Sequence, residues 1–413
     1  MHGPRFVRAV AGALVGLTTA VAHADTITLE EALRRAVERP TVALAAADTE
    51  AAQNDANGAR LPAYNPELGI AIGPARGGGA TLFDFEVSLS QTIERGGKRA
   101  ARADAADARV RVAAAAHDLE TTLARLEAWR AFELALVQRD RVEAAKEAEQ
   151  AAADVAAATE QTQAAGKGTQ LEVNLTTSEV GRSKHDRLDA ESAYEAAIAE
   201  LASAIGAGAD ERIEPTGDLA APAELPWNED DFVALALKNR PELAGTRAEV
   251  DVAHAEARAE DAEAAPDLTL GLSYGFSQDP DIDTHAILLS ASIALPVRNR
   301  NQGRRRAARV RIHRAEIDDA WARAEVEREA RLAHQAYSRA REAVAGFDQD
   351  VTGQLDENLE LARQSFDRGK IDYFAFSQAR RDLIAGERDY LDAVEEAVEA
   401  RYAVLRAAGD DVP

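Results

Sequence analysis

The residues able to do chemistry are scattered along this chain and form no recognisable catalytic or metal-binding motif. The sequence has eight histidines and no cysteine, which excludes disulfides, zinc–thiolate sites and thiol nucleophiles. His185 and Asp189 share one helix face, but two ligands do not make a metal site, and a solvated face is the simpler interpretation. The zinc motif His-Glu-x-x-His and the phosphate-binding glycine loops do not occur. We therefore predict no catalytic residues, no cofactor and no resident metal.

The first residues have the pattern of a secretory signal peptide. Arg5 and Arg8 supply a positive start, residues 10–21 are apolar, and Ala22-His23-Ala24 fits the small-x-small cleavage pattern. This apolar run is shorter than the roughly 20 residues that a membrane-spanning helix needs. We predict that residues 1–24 are removed on export.

The remaining chain is strongly acidic. Its formal net charge is −24 at pH 7, and loss of Arg5 and Arg8 would take it to −26 (−24 − 2). Phosphate repulsion argues against a nucleic-acid partner. No other stretch is apolar enough for a transmembrane helix, so strands would have to do any crossing of a membrane.

Two halves follow the same plan of helix, strand, strand, long helix, turn and returning helix. Arg39-Pro40 and Arg240-Pro241 each follow a short amphipathic helix. Pro66 and Pro266 then stand 200 residues apart (266 − 66) and precede alternating apolar positions, which is the strand period. The long run from 98 to 165 has no glycine or proline and predicts a helix on the order of 100 Å long.

These patterns predict a mainly α chain with a small β part in two tandem repeats. The predicted boundaries are as follows: repeat 1 at 25–206, with strands at about 66–73 and 83–93 and a helical hairpin at about 98–206; a linker at 207–227; repeat 2 at 228–413, with strands at about 266–277 and 285–297 and a hairpin at about 304–409.

Each predicted strand has one apolar and one polar face. In a soluble protein this pattern means a core on one side and water on the other; in a membrane barrel it means lipid and a water-filled lumen. Four strands per chain cannot close a barrel, because single-chain barrels start at about eight. Three chains would give twelve, with Asp84, Glu86, Ser88 and Ser90 towards the lumen.

The whole mature chain resembles the TolC-type outer-membrane factor family. The resemblance is carried by Asn65-Pro66-Glu67-Leu68, by Ser90-Gln91-Thr-Ile-Glu94-Arg-Gly96-Gly97-Lys98-Arg99 and by Leu295-Pro296-Val297-Arg-Asn299-Arg300-Asn301-Gln302-Gly303. It is closest to the branch that serves cobalt-zinc-cadmium efflux. The resemblance implies a trimeric 12-stranded outer-membrane β-barrel and a long periplasmic α-helical barrel, in contact with outer-membrane lipid.

The junction motifs have a mechanical interpretation. Gly96, Gly97 and Gly303 would permit sharp turns where the chain leaves a strand for a helix. Pro296 would end its strand. These four residues are therefore predicted to be structural.

The helix tips are predicted to form the periplasmic end of the duct. By resemblance, Gly168, Leu171, Gly369 and Ile371 would lie at the tips that contact an adaptor. Asp372 matches an acidic position that rings the constricted tip, and Glu172 is a second gate candidate. The next acidic position of the family is Ala375 here. The alternative is that Asp372 is a solvated turn residue or a helix cap.

Three functions remain open from the sequence. The first is the exit duct of a tripartite resistance-nodulation-division system that exports heavy-metal cations, with a periplasmic adaptor protein and an inner-membrane pump. The second is the same duct serving multidrug efflux or type I protein secretion. The third is a periplasmic structural coiled coil without a pore.

Overall fold

The computed structural model describes residues 25–77, 80–208, 211–278, 282–347, 358, 360–366 and 368–409. The predicted signal peptide, 1–24, lies outside these residues. Most of the described chain is helical, and one sheet of four strands carries most of the β structure.

Each half contains two short helices, a β-hairpin and two long helices. The first half consists of β1 (Asp25–Ile27), α1 (Leu29–Ala36), α2 (Pro40–Ala59), β2 (Glu67–Gly77), β3 (Ala80–Ile93), α3 (Lys98–Ala164) and α4 (Gln170–Ala204). After β4 (Ile213–Pro215), the second consists of α5 (Glu229–Asn239), α6 (Pro241–Ala262), β5 (Leu268–Ser277), β6 (Thr284–Ile293), α7 (Gln302–Gly346) and α8 (Tyr373–Ala408). Residues 360–366 are also helical.

The four longer strands form an antiparallel sheet in the order β2-β3-β5-β6. The hairpin of the first half, β2–β3, therefore lies beside the hairpin of the second half, β5–β6. The central pair, β3 and β5, joins the halves from Ile93 opposite Leu268 to Asp84 opposite Ser277. The sequence predicted that the last strand would reach 297, but β6 ends at Ile293, opposite Leu268, the first residue of its neighbour β5.

The segment 207–227 is more than a linker. Within it, β4 pairs in parallel with β1, placing Ile213 opposite Asp25 and Pro215 opposite Ile27. The Tyr337 hydroxyl donates to the Ala223 carbonyl at 2.7 Å, so this segment is also attached to α7. The alternation rule missed β1 and β4 because three residues are too few to show a period.

The two Arg-Pro motifs are built alike. Pro40 and Pro241 each occupy the first turn of a helix, where a missing N–H costs nothing. The preceding arginine pairs with a glutamate on the long helix of its own half, Arg39 with Glu127 at 2.7 Å and Arg240 with Glu329 at 2.6 Å.

The core lies between the long helices. One apolar cluster belongs to the first half and includes Phe132 and Leu201; another belongs to the second and includes Phe232. A third joins the halves by packing Trp129 of α3 against Val398 of α8. Among the described helices, none is both long and apolar enough to span a membrane.

Candidate functional site: the two-faced sheet, its junctions and the helix tips

The four-stranded sheet has one apolar face across its whole width. Paired residues on this face form continuous rows, as in Ile70, Val87, Tyr274 and Ile287. In the single chain Ile70 is 62% exposed and Leu289 is 85% exposed. Contiguous exposed apolar surface marks a place that contacts lipid or protein.

The opposite face of the sheet is polar and acidic. It includes the four residues that the alternation assigned to a lumen: Asp84, Glu86, Ser88 and Ser90. The Ser277 hydroxyl donates to Asp84 Oδ1 at 2.5 Å, and Glu67 lies opposite Ser90. Among the described side chains of the four strands there is no lysine or arginine. Among the described side chains of this face, Leu288 is the large apolar residue.

Both outer strands of the sheet have an open edge. Strands β2 and β6 each pair with one neighbour only, within the part of the chain that the structure describes. An open edge presents unpaired backbone N–H and C=O groups and is a template for another strand.

The first junction turns at two consecutive glycines. Gly96 has φ +72° and Gly97, the N-cap of α3, has φ +76°. A Cβ at Gly96 would lie 2.3 Å from the Ala265 Cβ and 3.3 Å from the Ala262 carbonyl oxygen. Gly96 is therefore required both for its backbone angle and for the close approach of the α6 end.

A buried ion pair joins this junction to the second half. Lys98 Nζ lies 3.0 Å from Asp267 Oδ2 and 3.3 Å from Glu263 Oε2, and its side chain is buried. The Arg95 N–H also donates to Asp267 at 3.2 Å. Burial alone would lower the pKa of Lys98, but the two carboxylates outweigh it, so that pKa is raised.

A second ion pair closes the same junction from the other side. Arg102 donates to Glu94 at 2.6 Å and to the Leu61 carbonyl at 2.9 Å. Glu94 also accepts from the Ala63 N–H at 3.1 Å. The hydrogen bonds from Arg102 lower the pKa of Glu94. The family motif therefore ties the end of β3 to the chain segment before β2.

The second junction turns at a different residue from the one predicted. Asn301, the N-cap of α7, has φ +57°, and its Nδ2 donates to the Glu260 carbonyl at 2.8 Å and to the Glu260 carboxylate at 2.7 Å. Gly303 lies in the first turn of α7 with ordinary backbone angles and open space around it. The prediction that Gly303 makes the turn was wrong. Asparagine tolerates the left-handed region better than most residues. Pro296 lies beyond the end of β6 as expected, and its carbonyl accepts from Arg300 Nε at 3.2 Å.

The gate candidates at the tips are helix caps in the single chain. Thr169 caps α4, and the Glu172 carboxylate accepts from the Thr169 N–H at 2.7 Å in a capping box. Asp372 caps α8 by accepting from the Ala375 N–H at 2.8 Å. Asp372 is thus the counterpart of Thr169, and Ala375 is the counterpart of Glu172. A charged ring formed by these residues stays a prediction.

The residues predicted to contact an adaptor lie where the tips turn. Gly369 has φ +65°, whereas Gly168 is tightly packed, since a Cβ there would lie 3.2 Å from the Gln163 nitrogen. Leu171 is 65% exposed, and Ile371 is half-buried. Their contact with an adaptor stays a prediction.

Sequence reasoning missed Arg380 of α8, which connects three helices just behind the tips. Its side chain is buried, and Nη2 donates to the Ala148 carbonyl of α3 at 2.9 Å and to Ser183 of α4 at 3.4 Å. These partners are 232 and 197 residues away in the chain, so no local pattern pointed to them.

The residues that could bind a metal form pairs at most among the described residues. His185 Nδ1 lies 2.9 Å from Asp189, with both side chains exposed. Among the described residues no group of three or more potential ligands could hold a metal ion. One Gly-x-Ser-x-Gly pattern occurs at 271–275, contrary to the expectation that the sequence has no catalytic motif. Ser273 lies inside β5, however, opposite Ser88 and Leu288, whereas a nucleophilic serine of this pattern sits on a turn from strand to helix.

Comparison with known proteins gives the same architecture. The profile described as "Outer membrane efflux protein" matches residues 30–207 and 232–410, so one unit falls in each half. The chain belongs to the outer membrane efflux protein family. Members of this family are channel proteins, and the chain is an outer-membrane protein whose helices extend into the periplasm.

One curated relative is named after the metals to which it gives resistance. The chain is 26% identical over 351 residues to the cobalt-zinc-cadmium resistance protein CzcC of Cupriavidus metallidurans, and the alignment covers 84% of this chain and 81% of CzcC.

Solved structures of outer-membrane channels share the fold. CusC superposes with a TM-score of 0.75 at 15% identity, covering 93% of this chain and 92% of CusC. The outer membrane protein VceC of Vibrio cholerae gives 0.74 at 18% identity, covering 93% of this chain and 96% of VceC. The predicted family and fold class are confirmed. The third function left open by the sequence, a periplasmic structural coiled coil without a pore, does not fit an outer membrane efflux protein.

Proposed function

We propose that this protein is the exit duct of a tripartite resistance-nodulation-division system that exports heavy-metal cations. The four-stranded sheet carries the proposal of a duct. Its exposed apolar face is suited to contact lipid, and its two open edges are suited to pair with further copies of the chain. The duct is passive. Its energy comes from an inner-membrane pump, reached through a periplasmic adaptor at the helix tips.

The proposed working unit is a homotrimer. Each chain supplies four strands with an edge at β2 and an edge at β6. Three copies give twelve strands (3 × 4), which is above the roughly eight at which membrane barrels begin. Closure would turn the apolar face to lipid and the polar face to a water-filled lumen.

A cationic cargo is supported by two observations. The relative with a named cargo, CzcC, is a cobalt-zinc-cadmium resistance protein. The polar face carries Glu67, Asp84 and Glu86 and, among its described side chains, no cation. A lumen lined by carboxylates concentrates cations and repels anions.

The same duct could serve drug efflux or type I protein secretion, since substrate choice resides mostly in the pump. The cargo is tested by deleting the gene and growing the strain on graded zinc, cobalt, cadmium, copper and silver, with a drug panel alongside. We expect sensitivity to metals alone, restored by the wild-type gene. Sensitivity to drugs alone would leave the duct in place and reject the metal cargo.

A further inference from the structure

The internal repeat predicts how the open edge of β6 would pair with the open edge of β2 in another copy. Pro66 corresponds to Pro266, so β2 maps onto β5 with an offset of 200 (266 − 66). Within the hairpins, Leu68 pairs with Leu89 and Leu268 pairs with Ile293. Strand β3 therefore maps onto β6 with an offset of 204 (293 − 89).

The two junctions give this second offset independently. The left-handed N-cap of α3 is Gly97, and that of α7 is Asn301. They are also 204 residues apart (301 − 97). The hairpin register and the helix starts thus agree on one superposition of the halves.

In an antiparallel pair, the two residue numbers of every opposed pair add up to the same value. Within one chain, this sum is 361 for β3 and β5, as for Ile93 and Leu268 (93 + 268). Shifting β3 by +204 and β5 by −200 gives the corresponding seam between β6 of one copy and β2 of the next. There the numbers sum to 365 (361 + 204 − 200).

We propose that the edge of β6, continued by residues 294–298, pairs antiparallel with β2 of the next copy in this register, which places Arg298 of the first copy opposite Glu67 of the second. In the single chain these five residues lie beyond β6, which ends at Ile293 opposite the first residue of β5, so the next copy would supply the strand that they lack. The turn in which the Val297 N–H donates to the Leu295 carbonyl at 2.8 Å would open on pairing. The inference rests on the proposed trimer and specifies its seam. The paired apolar residues are Ile293 with Ile72, Leu295 with Ile70, and Val297 with Leu68. Ile293 and the three β2 residues lie on the apolar face, and Leu295 and Val297 would continue the alternation of Ile293.

The charged residues at the two seams, β3–β5 within a chain and β6–β2 between copies, agree with this register. Continuing the β3–β5 register by one residue puts Asp267 opposite Glu94, and each acid has its own cation, Lys98 and Arg102. At the second seam, Gln302 replaces Lys98 and Arg298 replaces Glu94, by the offset of 204. The acid Glu67 therefore loses the lysine and gains an arginine directly opposite.

Both members of the proposed pair are available in the single chain. Glu67 and Arg298 are exposed, and neither has an ion pair among the described residues. A slip of one residue would turn the apolar side chains of β2 to the polar face. A slip of two towards the start of β6 would place Glu67 opposite Pro296 and lose the charge pair.

The chain has no cysteine, so disulfide trapping can be done in the full-length protein in outer membranes. Ile72→Cys with Ile293→Cys is the in-register pair. Ile70→Cys with Ile293→Cys is the matched control, displaced by two residues on the same face. We expect mild oxidation to link trimers through the first pair and to give at least tenfold less product with the second, since bridged Cα atoms must lie within about 7 Å.

Stronger linking in the displaced pair would overturn the register. Native mass measured on the wild-type protein separates this failure from that of the proposed function. A trimer with the wrong cross-link rejects only the seam, whereas a monomer rejects the duct itself.

A charge exchange tests the pair of Glu67 and Arg298. The single variants Glu67→Arg and Arg298→Glu should each lower the midpoint temperature of trimer dissociation. The double variant should restore it. Equal midpoints in all four proteins would contradict the pairing.

Discussion

Gly96 and Gly303 occupy the two strand-to-helix junctions, but their surroundings differ. Gly96 has φ +72° and a Cβ site 2.3 Å from Ala265. Gly303 is helical and has open space around it. In a helix, alanine is favoured over glycine by roughly 0.5–1 kcal/mol because glycine loses more backbone entropy on folding.

We predict that Gly96→Ala destabilises the protein and that Gly303→Ala leaves it unchanged or stabilises it slightly. The first variant combines a left-handed backbone angle with a steric overlap and should cost more than about 1 kcal/mol. Thermal unfolding in detergent, followed by circular dichroism, compares the two with the wild type. A larger loss for Gly303→Ala would show that the second junction turns at Gly303 after all.

Glu94 gives a pH-dependent prediction at the same junction. Its pKa is lowered from 4.5, chiefly by the hydrogen bonds from Arg102, and a lowered carboxyl pKa stabilises the folded state above the unfolded-state pKa. That contribution is lost as the pH falls through the folded-state pKa. We expect Glu94→Gln to reduce the free energy of unfolding at pH 7, with the deficit shrinking below about pH 4.5. Urea unfolding at several pH values measures it.

A matched control for this experiment is Glu50→Gln on the exposed side of α2, where no ion pair is described. This variant should follow the wild type at every pH. A deficit for Glu94→Gln that stays constant down to pH 3 would mean that the side chain acts through packing and not through its charge.

At the scale of elements, the starts of α4 and α8 follow one rule with different residues. Thr169 accepts from the Glu172 N–H at 3.2 Å, and Asp372 accepts from the Ala375 N–H at 2.8 Å. Either residue satisfies a backbone donor that the helix itself leaves open. The charge of Asp372 is not needed for this, because serine caps equally well.

Two substitutions at Asp372 therefore separate capping from gating. Asp372→Ala removes both the cap and the charge, and should cost about 1 kcal/mol and speed hydrogen exchange in the first turn of α8. Asp372→Ser keeps the cap and removes only the charge, so the helix start should stay protected. If three copies of Asp372 form the gate, Asp372→Ser alone should lower the cation selectivity of the channel in planar bilayers. An unchanged selectivity would leave Asp372 as a cap only.

The elements could be predicted from the sequence to different degrees. The hairpins were visible because alternation and the spacing of Pro66 and Pro266 repeat in both halves. The β1–β4 pair was not, since three residues show no period and their partners lie far apart. The contact of Lys98 with Asp267 spans 169 residues, and no local pattern encodes it. Asn301 was missed because glycine nearby gave a stronger signal for a turn.

At the scale of the whole molecule, α3 holds the halves together. It packs against α4 of its own half and places Ala105 and Ala108 against Val252 and Ala255 of α6. Ion pairs also connect α3 to the second half, from Arg109 to Glu256 of α6 and from Arg130 to Glu399 of α8. The helices and the sheet thus use the same principle, in which each half completes the other.

The polar face of the sheet would line the lumen only in the proposed trimer. Asp84 and Glu86 lie on adjacent rows of that face, so a closed trimer would bring six carboxylates (3 × 2) to two neighbouring levels of the lumen, three at each level. Rings of acidic side chains favour cations in channels. In the single chain, the same side chains are ordinary surface acids.

We therefore predict that Asp84→Asn with Glu86→Gln lowers the cation-over-anion permeability ratio in planar bilayers without preventing trimer formation. The two amides keep the size and polarity of the side chains, so the strands should pair as before. Ser88→Ala, on the next row of the same face, is the matched control and should not change selectivity. The reversal potential in a salt gradient measures the ratio, and native mass checks the trimer. A ratio that stays at the wild-type value would place the selective constriction elsewhere, at the helix tips, where Asp372→Ser provides the next comparison.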